Sequence, residues 1–417
     1  MGKGSKDKRR KKNKRGSAKK KMTNEQSLAL KSIKEWVFCC NDEEAEEDDF
    51  LPEMVNSGKV VFELHAHSFC SDGYLSPSAL VERAHQHGAI LALTDHDTMS
   101  GIPEALEAAH KLGMKIIPGV EISTVFSTRQ IAYMRTANGA RIRENSASEE
   151  AVHILAYYSS GGPSNYEEFD KFLASIREGR YLRAKNMLSK LKRLKMPLKW
   201  EHVARIAGSG VAPGRLHVAR ALVEAGHVQD LKQAFAWGSE PCAEDAVKMV
   251  CKTGGVSVLA HPWTLKTLVP VVKKLKEAGL HGIEVYRSDG KLAVYSDLAD
   301  AHGLLKLGGS DFHGKGGHGE SPLGSVSLPV LAVHDFLSIA RPIWCDAIKN
   351  ILEQYIKEPS ELNVQHIFRF GKTRIFDNDS SGIDLIRNSL LSWLTKEEMQ
   401  HADFEAIMLK LSGILVD

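Results

Sequence analysis

At 417 residues, the chain is long enough for one large domain with additions, or for two to three modest domains. Its 43% hydrophobic and 26% charged residues are ordinary for a globular protein, and no apolar run reaches the roughly 18 residues of a membrane helix. Six cysteines without C-x-x-C spacing favour neither a disulfide framework nor a cysteine-type zinc site. We therefore expect a protein without membrane spans that works inside the cell, in the cytoplasm, the nucleus or both.

The net charge of +3 conceals a strongly basic N-terminus. Residues 1–21 carry 12 lysines and arginines and one aspartate, and seven acidic residues follow between Asp42 and Asp49. This composition predicts that residues 1–50 form a disordered arm, basic and then acidic. The basic part could bind an import receptor for the nucleus, bind RNA, or only keep the chain in solution.

Seven short apolar segments predict β-strands, and helical segments separate most of them. The strands are predicted at residues 60–64, 89–93, 115–120, 151–157, 256–260, 281–285 and 303–307. The helices are predicted at residues 77–87, 102–112, 266–279 and 290–302. Strands that alternate with helices indicate a parallel sheet with both faces covered, so the pattern predicts an open or closed α/β barrel of seven units.

Two histidines, His65 and His67, directly follow the first predicted strand. Residues i and i+2 of a strand point to the same side, so the two imidazoles could converge on one ion. The same spacing at His85 and His87 falls at a predicted helix, where such positions do not face each other. With 18 histidines in the chain, about one such pair is expected by chance, and only the context makes the first pair a ligand candidate.

Histidines and carboxylates lie in or after six of the seven predicted strands, mostly at the carboxyl end, where α/β barrels gather their active sites. They include His65, His67, Asp72, His96, Glu121, His153, His261, Asp311 and His313. Six imidazoles and three carboxylates exceed what one ion can bind, so we expect two or three divalent ions. Imidazoles suit Zn, Fe or Mn, whereas carboxylates favour Mn and make Mg possible. Ions about 3.5–4 Å apart are suited to the hydrolysis of phosphate esters.

These motifs resemble the PHP (polymerase and histidinol phosphatase) family of metal-dependent phosphoesterases over about residues 60–325. The segments that carry the resemblance are HAHSFCSDG, LTDHDTMSGIPEAL, GVEIST, HILAYY, LAHPW and GGSDFHG. Within the family, the chain is similar to the branch of 3′,5′-nucleoside bisphosphate phosphatases that also trim short RNA from the 5′ end. The resemblance implies a distorted (β/α)7 barrel with a trinuclear metal centre.

The resemblance also implies how the ligands are shared among the ions. The implied ligands of the first ion are His65, His67, Glu121 and Asp311. Those of the second ion are Glu121, His153 and His261, and those of the third are Asp72, His96 and His313. Glu121 would bridge two ions. Asp97 is expected to orient a ligand histidine by a hydrogen bond and not to bind an ion itself.

Helical sequence at residues 161–253 interrupts the strand pattern and predicts a cap domain inserted between two parts of the barrel, residues 58–160 and 254–330. Within it, Arg177 and Arg180 either bind substrate or belong to a solvated basic face. Arg215 is expected to bind the substrate, and His217 to protonate the leaving oxygen.

Residues 331–417 predict a helical C-terminal extension packed on the barrel. One helix is predicted from Arg341 to Glu358, and a capping box at Thr395 and Glu398 begins another.

The predicted activity is hydrolysis of phosphate monoesters of nucleotides by metal-activated hydroxide, from a 3′,5′-nucleoside bisphosphate to the 5′-nucleotide, with possible trimming of short RNA. One alternative is a phosphatase for a small molecule such as histidinol phosphate. Another is a weakly active metal-binding barrel that serves as an RNA- or protein-binding module. The arginines of the insertion favour the first activity because they suit a substrate with a second anionic group. A loop after Trp237 that is shorter than in the family keeps the last alternative open.

Overall fold

The computed structural model describes residues 22–38, 59–127, 149–208, 210–227, 240–290, 293–316, 320–370, 386 and 389–414. The basic run at residues 1–21 and the loop that begins at Trp237 are sequence predictions that lie outside these residues, apart from Glu240 at the end of the loop. None of the described helices has the length and apolarity needed to cross a membrane.

The described chain contains both strands and helices as far as residue 308 and is mainly helical after it. The strands are β1 Lys59–Val60, β2 Phe62–Glu63, β3 Ile90–Leu93, β4 Ile116–Ser127, β5 Glu149–Tyr157, β6 Val256–Leu259, β7 Gly282–Tyr286, β8 Leu305–Gly308 and β9 Leu328–Pro329. The helices up to β8 are α1 Asn24–Phe38, α2 Pro77–Gln86, α3 Ile102–Lys111, α4 Tyr166–Arg193, α5 Trp200–Ala207, α6 Arg215–Glu224, α7 Ala243–Lys252, α8 Leu268–Glu277 and α9 Ala293–His302. The later helices are α10 Val330–Lys357, α11 Glu361–Ile367, α12 Lys396–Met399 and α13 Ala402–Ile414.

Seven strands form one curled sheet in the order β2-β3-β4-β5-β6-β7-β8. Strands β2, β3 and β4 pair in parallel, and so do β6, β7 and β8. Beyond the two edge strands, Ala66 and Phe312 form a parallel bridge, so the segments that follow β2 and β8 meet. The predicted α/β fold with a seven-stranded sheet is confirmed.

Strand β5 runs antiparallel to both of its neighbours, so the prediction of a parallel sheet is wrong at this strand. Apolar character marks a strand but not its direction, which depends on the connection that precedes it. Because β5 is reversed, its beginning lies at the edge where the neighbouring strands end. His153, in the middle of β5, therefore reaches the same edge as residues that follow the other strands.

One face of the sheet is covered by the helices that alternate with the strands. Buried side chains of α2, α3, α7 and α8, such as Leu80, Ala105, Val247 and Val271, form one apolar cluster with the sheet. Helix α7 packs on β4, β5 and β6 although its residues fall within the predicted cap segment 161–253.

The other face of the sheet is filled by α10. Ile117 of β4 and Leu155 of β5 share an apolar cluster with α10, and Trp344 of α10 donates a hydrogen bond to the Tyr157 carbonyl at 3.1 Å. Ile117 lies four residues before Glu121, so both point to the same side of the strand. The C-terminal segment is thus part of the core beneath the predicted ligands. Helix α10 also begins at Val330, earlier than predicted, with Pro342 inside it.

Helix α1 lies within residues 1–50, which were predicted to be disordered, and this part of the prediction is wrong. Trp36 of α1 is fully buried and lies edge-on to Trp393, with ring centroids 5.5 Å apart. Its carbonyl accepts a hydrogen bond from the Lys115 ammonium at 2.7 Å. The apolar spacing of α1 was overlooked because charged residues on both sides dominate the local composition.

The insertion contains a small apolar core of its own. Side chains of α4, α5 and α6 form it, with Met187, Val203 and Leu222 among the buried residues. The first half of α4 instead packs with the sheet cluster through Phe169 and Leu173. One helix of 28 residues therefore joins the insertion to the sheet.

Candidate metal centre

Glu121 of β4 lies at the centre of a histidine cluster and is almost fully buried. Its two carboxylate oxygens lie 2.8–3.2 Å from a ring nitrogen of each of five histidines: His65, His67, His96, His153 and His261. These histidines follow the ends of three strands, β2, β3 and β6, or lie in the middle of the reversed strand β5, and the curled sheet brings them together. One carboxylate is thus shared by ligands of more than one ion site.

Three overlapping groups of side chains each have their ligand atoms within 4.8 Å of one another. The groups are His65, His67, Glu121 and Asp311; His67, Asp72, His96 and His313; and His96, Glu121 and His153. His261 joins them through its contact with Glu121. The structure brings all nine predicted ligands together, whereas His85 and His87 lie at the end of α2, outside these groups.

Several of the converging atoms are buried and have no hydrogen-bond partner. They include Nε2 of His65, both ring nitrogens of His67, Nδ1 of His96 and Oδ1 of Asp72. A buried polar atom without a partner costs about 1–3 kcal/mol. Divalent ions between these atoms would satisfy them together, so the side chains present fit a site for several metal ions.

The groups of the cluster lower the pKa of its three carboxylates and raise the pKa of some of its histidines. Burial alone would raise the pKa of Glu121, but His96 and His65 beside it outweigh burial and hold that pKa well below its usual range. Burial would lower the pKa of His67, but the carboxylates of Asp311 and Glu121, each 3.2 Å from its Nε2, outweigh burial and raise that pKa to about 10. A metal ion must displace this proton, so metal affinity weakens as the pH falls.

Backbone strain is concentrated at the site. Asp97, His261 and Asp311 have positive φ angles of 54°, 27° and 52°, in the region that favours glycine. Non-glycine residues keep such conformations where the surrounding structure fixes them, and they cluster at functional sites. Two of the three are predicted ligands.

Glu284 of β7 is a site residue that the sequence analysis missed. One carboxylate oxygen lies 3.1 Å from Nδ1 of His65, and the other accepts a hydrogen bond from the His261 amide at 2.6 Å. Because Nδ1 of His65 faces Glu284, Nε2 is left for an ion. The signal that the sequence offered was a single glutamate inside an otherwise apolar predicted strand, Gly-Ile-Glu-Val.

Two further buried carboxylates hold the loops that carry ligands. Glu63 accepts hydrogen bonds from the amides of Ser310 at 2.7 Å and Gly324 at 2.9 Å. Asp95 accepts hydrogen bonds from the Ser68 amide and hydroxyl and from the Ser71 hydroxyl. These contacts fix the segment next to Asp311 and the segment that follows His67.

Asp97 does not contact a ligand histidine in the structure, against the prediction. Its carboxylate pairs with Arg180 at 2.6 Å and accepts a hydrogen bond from the Ser123 amide at 2.7 Å. Its carbonyl accepts a hydrogen bond from Arg177 at 2.8 Å. Asp97 therefore holds two arginines of α4 against the sheet, beside the metal centre.

We expect Asp97→Ala to lower the free energy of unfolding by about 3–5 kcal/mol because it strands a buried arginine. The Arg180 and Asp97 side chains are only 11% and 0% exposed. The control is Asp170→Ala, which removes the half-exposed partner of Arg177 and should cost at most about 1 kcal/mol. Urea unfolding of both variants measures the difference, and equal costs would contradict the structural role of Asp97.

His217 is buried in α6, and its Nδ1 accepts a hydrogen bond from the Gly214 amide at 2.9 Å. This bond places the proton of the neutral ring on Nε2. Burial, together with Arg220 and Arg180, lowers the pKa of His217 to about 4 against the opposing charge of Asp72. Helix α6 begins at Arg215, whose side chain lies outside the described residues.

A cavity of about 270 Å³ opens beside the metal centre. His96 lies in its wall, together with Tyr166, Arg177, Arg180 and residues 210–212. The cavity therefore lies between the ligand groups and the helices of the insertion.

The fold and the site together define a metal-dependent hydrolase with several overlapping ligand groups in one cluster. The model of the PHP domain family matches residues 63–206. The chain belongs to this family and is a metal-dependent phosphoesterase, as the sequence resemblance implied.

Two similar proteins of known name support the same family. The chain is 31% identical over 312 residues to the 3′,5′-nucleoside bisphosphate phosphatase of Chromobacterium violaceum. The matched region covers 70% of this chain and 97% of that protein. It is 32% identical over 275 residues to the 5′-3′ exoribonuclease Rnm of Salmonella typhimurium, and this match covers 61% of this chain and 85% of that protein.

A solved structure agrees with the fold. The crystal structure of a protein assigned as a metal-dependent phosphoesterase from Bifidobacterium adolescentis superposes with a TM-score of 0.53 at 27% identity. The match covers 66% of this chain and 95% of that protein.

Proposed function

We propose that the protein hydrolyses the 3′-phosphate of 3′,5′-nucleoside bisphosphates to give 5′-nucleotides, and that it also removes nucleotides from the 5′ end of short RNA. The observation that carries the proposal is the cavity beside His96. Its volume equals that of about nine water molecules, more than a phosphate group fills. A phosphate that reaches the ligand groups would leave the rest of a nucleotide in this cavity. The names of the two relatives support the same substrate class.

We further propose a centre of three ions, Mn, Zn or Fe, in a distorted (β/α)7 barrel capped by the insertion. Glu121 would bridge two of the ions and His153 and His261 would complete the second, while Asp72, His96 and His313 would bind the third. When bound, the ions activate water and neutralise the charge that develops on the phosphoryl oxygens. Three overlapping ligand groups support this number of ions.

The side chains of the insertion would then serve the substrate. His217 would donate a hydrogen bond from Nε2 to the leaving oxygen, since its Nδ1 already accepts one from the Gly214 amide. Arg180, fixed by Asp97, would face the nucleotide in the cavity. Arg215 stays a predicted ligand of the second phosphate, and binding of RNA or an import receptor by residues 1–21 stays a prediction.

A panel of substrates tests the proposed function. The purified enzyme, supplied with Mn, should release phosphate fastest from a 3′,5′-nucleoside bisphosphate and should shorten 5′-phosphorylated RNA from its 5′ end. A 5′-mononucleotide and histidinol phosphate should be poor substrates. Faster release from histidinol phosphate would favour the small-molecule phosphatase instead, and bound metal without any phosphate release would favour a binding module.

A further inference from the structure

Arg220 lies beside the ligand group that contains Asp72, and Lys315 follows His313 of the same group by two residues in the chain. The Arg220 guanidinium lies 3.4 Å from the Asp72 carbonyl oxygen and 4.7 Å from the centre of the Tyr74 ring. The Tyr74 amide donates a hydrogen bond to the His313 carbonyl at 2.8 Å, which holds the Tyr74 backbone next to a ligand. The Tyr74 side chain is 53% exposed, so the pair lies at the mouth of the site.

Neither Arg220 nor Lys315 forms an ion pair with a described carboxylate. Four other arginines on the described part of the insertion do form ion pairs with carboxylates. The pairs are Arg177 with Asp170, Arg180 with Asp97, Arg183 with Glu240 and Arg205 with Glu224. The Lys315 amide donates a hydrogen bond to the Glu320 carboxylate at 3.3 Å, which holds the Lys315 backbone next to the loop of His313.

The nearby acids are already engaged. Asp72 and Asp311 contact ligand histidines, with Asp72 at 3.2 Å from Nε2 of His313. Glu320 accepts hydrogen bonds from the amides of His313 and Gly316. Bound ions would add positive charge at the same place, so Arg220 and Lys315 lack a counter-anion in the described part of the chain.

We propose that Arg220 and Lys315 bind the second anionic group of the substrate, the phosphate that is not hydrolysed, and that Tyr74 positions the Arg220 guanidinium. The inference rests on the proposed function, which supplies a substrate with two phosphates. A guanidinium binds two phosphate oxygens at once, and the ammonium adds a point charge. The reacting phosphate needs neither, because the ions hold it.

The test compares two substrates in single variants. Arg220→Ala and Lys315→Ala should each lower kcat/KM on a 3′,5′-nucleoside bisphosphate by about tenfold to a hundredfold, mainly through KM. The same variants should change little on an aryl phosphate, which has one phosphate only. Tyr74→Phe, which keeps the aromatic ring, should resemble the wild type, whereas Tyr74→Ala should raise KM on the bisphosphate. Arg205→Ala is the matched control, since Arg205 lies on the insertion and pairs with Glu224.

Equal losses on both substrates would show that the two cations hold the metals or the fold, and would overturn the proposal. So would unchanged kinetics, or a selective loss in Arg215→Ala and none in Arg220→Ala. If the wild type releases no phosphate from the bisphosphate, the proposed function fails, but the inference is still tested. The bisphosphate should then inhibit aryl phosphate hydrolysis, and its inhibition constant should rise in Arg220→Ala; the same constant in both proteins would overturn the inference.

Discussion

Glu121→Gln is expected to abolish most of the activity on every phosphate ester. The substitution keeps the size of the side chain but replaces one oxygen by an amide that cannot bind an ion. Both oxygens of Glu121 face histidine nitrogens, so whichever way the amide turns, one set of ligands loses its partner. Substitution of a residue that only orients a metal ligand lowers metal affinity or activity by about 10- to 100-fold. The loss of activity on substitution of a ligand shared between ions should therefore exceed about 100-fold.

The control for Glu121→Gln is Glu277→Gln, the same chemical change at a side chain of α8 that is 51% exposed. Steady-state kinetics, circular dichroism and metal analysis of both variants separate a damaged site from a damaged fold. The Glu121 variant should keep its helical signal and bind less metal. Near-normal turnover with a full complement of metal would show that Glu121 is not shared between ions.

Glu284→Gln is expected to lower activity by about 10- to 100-fold without touching a metal directly. The carboxylate accepts from the His261 amide and faces Nδ1 of His65. The glutamine amide has one oxygen, so it can accept a hydrogen bond at only one of these two positions. At the other position its NH2 group is a donor that faces another donor or Nδ1 of His65. If the amide donates to Nδ1 of His65, the ring proton moves to Nε2 and blocks the nitrogen that should bind an ion.

The loss in Glu284→Gln should appear as weaker metal binding. Titration with Mn should therefore restore much of the activity at concentrations above those that saturate the wild type. Glu63→Gln offers a comparison, because Glu63 accepts hydrogen bonds from Ser310 and Gly324 and has no ion pair with a ligand histidine among the described contacts. An activity loss in Glu284→Gln that excess metal does not change would contradict its role through His65.

Most of the ligands could be predicted from sequence because they follow predicted strands, and strand order then places them at one edge of a sheet. His65 and His261 directly follow the mostly apolar segments 60–64 and 256–260, and His96 follows the segment 89–93 after two polar residues. His153 did not fit this rule, and the structure gives the reason. It lies inside a strand that runs the opposite way, and a strand's composition does not encode its direction.

The contacts between distant segments could not be read from the sequence. Asp97 lies next to a ligand in the chain, yet its partner is Arg180, which is brought close only by the packing of α4 on the sheet. Glu284 reaches His65 across the curled sheet, from a strand where a single glutamate gave little reason for attention. Helix α10 was expected to be peripheral, because nothing in its local sequence shows that it packs against one face of the sheet and completes the core there.

Metal content is the most direct test of a site shared by several ions. The full chain, expressed with Mn and Zn and freed of loose metal by gel filtration, should carry about two to three ions per chain by elemental analysis, as the overlapping ligand groups require. Chelation should remove the ions and the activity together, and added Mn should restore both. A single ion per chain in fully active protein, or activity that survives complete removal of metal, would contradict the account.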